Sequence, residues 1–137
     1  MKNHTMHVSG AAKRAGVNLR TLHYYERRGL LKPQRTPANY RVYSDDTVQR
    51  VRFIKRAQEL GFTLDEIKEL LALRIDSKAT CAAVKERAEA KLEDIRGRIH
   101  TLRGMARALG RLAAACAGKG SVTDCPILEA LDKKDRR

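Results

Sequence analysis

Three cysteines, Cys81, Cys116 and Cys125, are the residues of this 137-residue chain with the most distinctive chemistry. Two of them close the short loop CAGKGSVTDC, with Pro126 directly after it, and the third lies far upstream. Three thiolates together make a soft site that selects soft or borderline metals. Zinc ordinarily takes four ligands, with His or Cys completing a tetrahedron. The loop has no His, and Asp124 is its only other charged candidate ligand. A three-thiolate site of this kind suits an ion content with low coordination, such as Hg(II), or a lone-pair ion such as Pb(II). Lys119, inside the loop, is expected to help keep the thiols ionised. Two plainer readings compete: a cysteine packed as a small hydrophobe, and a Cys116–Cys125 disulfide, which a reducing compartment disfavours. His4, His7, His23 and His100 are scattered, and no nucleophile–base pair is visible, so an enzyme is not expected.

The stretch that must position these thiols is a helix. No proline interrupts Cys81 to Ala115. Val84, Ala88, Leu92, Ile95, Ile99, Leu102, Ala106, Leu109 and Ala113 recur at alternating gaps of three and four, a heptad-like seam. So long a helix has little of its own domain to lie against, which points to pairing with a second copy; an intrachain hairpin is the alternative. From Cys81 to Cys116 such a helix is about 52 Å long at 1.5 Å per residue. The two thiols cannot then meet within one chain. If two copies pair antiparallel, Cys81 of one lies beside Cys116 of the other, and the loop to Cys125 folds over the same place. Each dimer would carry two such sites.

The front of the chain reads differently. Lys and Arg number 29 against 16 Asp and Glu, a net charge of +13. Residues 1–60 carry 13 basic and 4 acidic residues, so the excess is concentrated there and suggests a polyanion, most simply nucleic acid. Ser9 is placed to cap a helix through GAAKRAG, and Asn18 a second through LRTLHYYERRG. So tight a turn between two short helices suggests a helix-turn-helix. Pro33, Pro37 and Asn39 then break helix, and Tyr40, Val42 and Tyr43 suit strands of a small hairpin or wing. Ser44 opens a helix with Asp45 and Asp46 in its first turn and Gly61 at its end. Thr63 and Glu66 form a capping box for TLDEIKELLALR, and IDSKA breaks it. Pro126 opens a last short helix, and the KKDRR tail is expected to fray. No apolar run is long enough to span a membrane, and Met1–Gly10 has no signal-peptide core. An odd cysteine count without a secretory signal points to free thiols in the cytoplasm.

Taken in this order, TLHYYERRGLL, NYRVYSDDTVQRVRFIKRAQELGFTLDEIKELL and CAGKGSVTDCPILEAL resemble the MerR family of metal-responsive transcription regulators over nearly the whole chain. The resemblance implies a mainly α fold. A winged helix-turn-helix DNA-binding domain occupies residues 1–75, with the helix-turn-helix at about 9–28. A long antiparallel coiled-coil dimerisation helix follows over 76–115, and a metal-binding loop with a short helix over 116–137. It also implies a homodimer that holds double-stranded promoter DNA unproductively without metal. With metal it distorts the spacer so that RNA polymerase can use the promoter.

Site residues carry over one by one. Arg20 and Tyr24 match the recognition helix, where His23 replaces the more usual Arg or aromatic residue. Arg41 and Tyr43 match the wing and are expected at phosphates, with Tyr40 and Lys13 as further candidates. One ring of the Tyr24–Tyr25 pair is expected to pack inward. Such contacts position the protein, and spacer deformability carries much of the specificity. Cys81, Cys116 and Cys125 match the metal ligands of the mercury-sensing branch, with its eight-residue loop. Copper sensors carry Ser at the position of Cys81, while zinc sensors tend to add a second Cys beside the first loop thiol and a His in the loop. The loop here departs from well-known mercury regulators in lacking an arginine pair. The implied effector is Hg(II), with Pb(II), Cd(II) or Zn(II) as alternatives in the same family. A metal-carrier protein and a drug or oxidant sensor of the same fold are the other readings; drug sensors usually append a ligand domain, and only a dozen residues follow Cys125.

Overall fold

A computed structural model describes residues 5–133 of the chain. It is mainly helical. A short strand β1 (Thr5–Met6) precedes helices α1 (Val8–Ala15) and α2 (Leu19–Arg27). Strands β2 (Gln34–Arg35) and β3 (Arg41–Ser44) follow, then α3 (Asp45–Glu59), α4 (Leu64–Ile75), α5 (Cys81–Ala114) and α6 (Pro126–Asp132). The chain divides into two compact units, one ending at Lys91 and the other starting at Leu92.

In the first unit, α1 and α2 form the helix-turn-helix. The capping expectation for α1 is corrected. The N-cap is His7, which gives no side-chain hydrogen bond, and Ser9 lies inside the helix. Strand pairing by Thr5 and Met6, too short to signal itself in sequence, brings the chain into α1 earlier than Ser9 suggested. Gly16 ends the helix at φ 72°, where a Cβ would be strained and would stand 3.5 Å from Lys55 Nζ. Asn18 caps α2 as expected, its side chain accepting the Thr21 N–H at 2.8 Å.

The wing is the antiparallel pair β2–β3, with Gln34 opposite Val42 and Arg35 opposite Arg41. Asn39 at φ 68° turns the chain between them. Tyr40 lies in that turn, just before β3. β1 pairs with the other edge of β3, so the order is β1-β3-β2. Ser44 caps α3 through the Thr47 N–H, and Thr63 and Glu66 form the capping box of α4.

The core lies between these elements. Leu22 and Tyr25 of α2, Leu30, Tyr43, Ile54 of α3 and Ile67 of α4 are almost fully buried. Burying side chains of this size stabilises by roughly 1.5–3 kcal/mol each against leaving them in water. The first turns of α5 belong to the same unit. Val84 and Ala88 join Phe53, Ala57, Leu60 and Phe62 around an apolar groove of about 350 Å³. Beside it, Lys91 is only 7% exposed. Its Nζ lies 2.8 Å from Glu66 Oε1 and 5.7 Å from the centre of the Phe62 ring, and Arg87 pairs with Glu69.

The second unit holds the rest of α5, a 3-10 turn at Val122–Asp124 and α6. Leu92, Ile99, Leu102 and Leu109, all seam positions, are exposed. The fraying expected of the KKDRR tail falls mostly outside the described residues. No described helix is long and apolar enough to cross a membrane.

Candidate functional site

The nucleic-acid candidates cluster on α1, α2 and the wing. Lys13 lies exposed in the last turn of α1, and Arg20 exposed in the first turn of α2. One turn on, Tyr24 is 40% exposed, with the Arg27 guanidinium 5.9 Å over its ring. An (i, i+4) pair shares a helix face, so Arg20 and Tyr24 present together. His23 between them is half-buried. Tyr25 is the inward ring of the pair, with its hydroxyl donating to Gln58 Oε1 at 2.5 Å. Burial, then the Glu59 carboxylate, raises its pKa.

On the wing, Tyr40 is 66% exposed, and Arg41 is exposed with its Nη1 3.2 Å from Glu26 Oε2. Tyr43 departs from expectation. It is 1% exposed in the core, and its O–H is donated to Glu26 Oε1 and so is not available to a phosphate in this structure. Two residues apart on β3, Arg41 and Tyr43 share a face of the strand, and both reach Glu26. Burial, then the hydrogen bond to Glu26, pushes its pKa well up.

The basic surplus is also partly spent on structure. Arg50 Nε donates to the Leu30 carbonyl at 2.7 Å, Arg52 Nη2 to the Arg14 carbonyl at 2.5 Å, and Lys55 Nζ to the Gly16 carbonyl at 2.7 Å. Three cations of α3 thus satisfy carbonyls at or just past the ends of α1 and α2, a role that a count of charges does not reveal. Glu26, the acceptor shared by Arg41 and Tyr43, was also invisible in sequence, because its partners lie 15 and 17 residues away.

The thiols lie at three element ends. Cys81 is the exposed first residue of α5. Cys116 follows α5 half-buried, its Sγ accepting the Gly118 N–H at 3.4 Å. Cys125 is the N-cap position of α6. The backbone N–H groups of Leu128 and Ile127 favour its thiolate and, with the Cys116 thiol beside it, hold it below the usual thiol range; partial burial and Glu129 oppose them. Lys119, expected to supply that effect, does not contribute to it. All three cysteines are free thiols. The loop therefore brings Cys116 and Cys125 together as a soft donor pair fit for a thiophilic ion. Among the described residues no three His, Cys, Asp or Glu side chains of one chain gather around a common point.

The fold and its basic helix-turn-helix define a winged DNA-binding regulator. Two family models match: the MerR HTH family regulatory protein over residues 6–73, and the MerR DNA-binding region over residues 48–112. The chain is similar to a mercuric resistance operon regulatory protein of Bacillus cereus, 44% identical over 93% of this chain and 97% of the relative. It is similar as well to a heavy metal-dependent transcription regulator of Rhizobium meliloti, 39% identical over 92% of this chain and 86% of that one. Among solved structures it resembles the transcription regulator PbrR691 of Ralstonia metallidurans in complex with lead(II). The TM-score is 0.83 and the identity 33%, covering 92% of this chain and 98% of that chain. The chain belongs to the MerR family of helix-turn-helix transcription regulators. It is a DNA-binding regulator and not an enzyme.

Proposed function

We propose that this protein is a homodimeric, metal-responsive regulator that holds its promoter unproductively without metal and activates it on binding Hg(II). Two copies pair antiparallel along α5. Cys81 of one protomer joins Cys116 and Cys125 of its partner, so that each dimer carries two three-thiolate sites. The observation that carries the reading is the loop: it sets Cys116 beside Cys125 and lowers the thiol of Cys125 through backbone N–H groups, as a soft-metal site requires. The exposed seam of Leu92, Ile99, Leu102 and Leu109 supports the pairing, because contiguous exposed apolar surface marks an interaction face. The 44% identical mercuric resistance relative supports Hg(II), while the likeness to a lead-bound regulator favours Pb(II) as a second reading.

In this reading Arg20, Tyr24, Tyr40, Arg41 and Lys13 meet DNA, mostly at phosphates, with His23 at the edge of that face. RNA polymerase then uses the distorted promoter. Metal and distorted DNA must strengthen each other's binding by the same factor. Transcription from the chain's own promoter, followed against Hg(II), Pb(II), Cd(II) and Zn(II), tests the assignment. Hg(II) is expected to act at the lowest concentration; a response first to Pb(II) or Zn(II) would reassign the effector.

A further inference from the structure

Glu26 stands on the recognition helix α2, where a carboxylate near DNA is an electrostatic liability, yet only 9% of its side chain is exposed. Both of its oxygens are occupied from the wing. Oε1 accepts the Tyr43 hydroxyl, and Oε2 faces Arg41 Nη1 at 3.2 Å. Tyr43 is itself fixed, its ring 1% exposed and its strand residue paired with Met6 of β1. Arg41 is fixed at its backbone by pairing with Arg35. Its side chain remains 41% exposed, and a guanidinium has five N–H donors, so one contact to Glu26 leaves most of the fork for another acceptor. The arrangement joins helix and wing through one carboxylate and holds the guanidinium in a single direction.

We propose that Glu26 is a positioning residue for DNA binding: it aims Arg41 at a backbone phosphate and ties the wing to α2 through Tyr43. The inference rests on the reading of Arg41 as a phosphate contact. It makes a prediction opposite to simple electrostatics. Removing the negative charge of Glu26 raises the net charge by one, which by itself strengthens attraction to DNA. If Glu26 aims Arg41, the same change weakens binding, because the freed side chain must be ordered again on the DNA.

The test uses the full-length dimer and a duplex that the wild-type chain selects from a random-sequence pool, with affinity followed by fluorescence anisotropy across a salt series. Arg41→Ala is expected to weaken binding roughly tenfold, the scale of one charge-assisted hydrogen bond, and to flatten the salt slope by about one. Glu26→Gln is expected to move both readouts in the same direction, and Glu26→Gln added to Arg41→Ala to bind no more weakly than Arg41→Ala alone. Thermal melting of each variant separates this from lost folding. Where Glu26→Gln melts below the assay temperature, Glu26→Asp carries the test: it keeps the charge but draws the carboxylate back by one methylene from Arg41, and is expected to weaken binding in the same direction. Unchanged or tighter binding by Glu26→Gln, alongside a weakened Arg41→Ala, overturns the positioning role. An Arg41→Ala protein that binds as wild type overturns the phosphate reading beneath it.

Discussion

Replacing Glu66 by Gln isolates what fastens the start of α5 to the DNA-binding unit. Glu66 Oε1 accepts the Thr63 N–H at 2.8 Å and also lies 2.8 Å from Lys91 Nζ, so one oxygen serves both the cap of α4 and the grip on α5. Lys91 is 8% exposed at its side chain and leans on the Phe62 ring. The hydrogen bond from Lys91, then that from the Thr63 backbone, pulls the Glu66 carboxyl from its ordinary 4.5 down to about 2. A depression of that size corresponds to about 3 kcal/mol in full. Because 39% of the Glu66 side chain is open to water, screening reduces the share to about 1–2 kcal/mol. The amide of Gln still accepts the Thr63 N–H, so the cap survives and the lost term is the charge.

The sign follows from the direction of the shift. A carboxylate with a lowered folded-state pKa stabilises fully above its ordinary value of 4.5, and its contribution fades as pH falls toward about 2. Urea unfolding of wild type and Glu66→Gln, at matched protomer concentration, is therefore expected to differ by about 1–2 kcal/mol at pH 7 and to converge near pH 2. In a Lys91→Met background, which keeps the stem over Phe62 without the charge, Glu66→Gln is expected to cost less at pH 7 than it does in the wild type. An equal loss at both pH values, or a loss undiminished in the Lys91→Met background, would refute the electrostatic account of the joint.

Leu92→Asp or Leu102→Asp is expected to bury a charge in the α5 seam at a cost of several kcal/mol, so sedimentation should find monomers where the wild type is a dimer. Arg20→Ala should flatten the salt dependence of promoter binding by about one while leaving the thiol count and metal uptake unchanged; a slope equal to wild type would remove Arg20 from the DNA face. Cys81→Ala and Cys116→Ala homodimers should each fail to respond to metal, yet mixed heterodimers should recover one intact site, since one end loses both thiols and the other keeps all three. If mixing restores nothing, the sites are not shared between chains.

What the sequence disclosed and what it hid divide along one physical line. Features set by residues three or four apart were legible: the Asn18 cap, the Thr63–Glu66 capping box and the uninterrupted run of α5 all follow from local spacing. Features set by partners far along the chain were not. Arg50, Arg52 and Lys55 entered the charge count as nucleic-acid cations, but their carbonyl partners lie 20 to 39 residues away. Tyr43 passed as a phosphate contact because nothing near it announces Glu26 as its acceptor. Lys91, on a helix that looks solvated all round apart from its seam, gave no sign of a buried ammonium. The thiols sit between these cases. Their softness and loop spacing were plain, but the source of the lowered Cys125 thiol was sought in Lys119 when the first turn of α6 supplies it. A charge in a sequence advertises a field; only the fold decides whether that field meets a ligand, a carbonyl or another side chain.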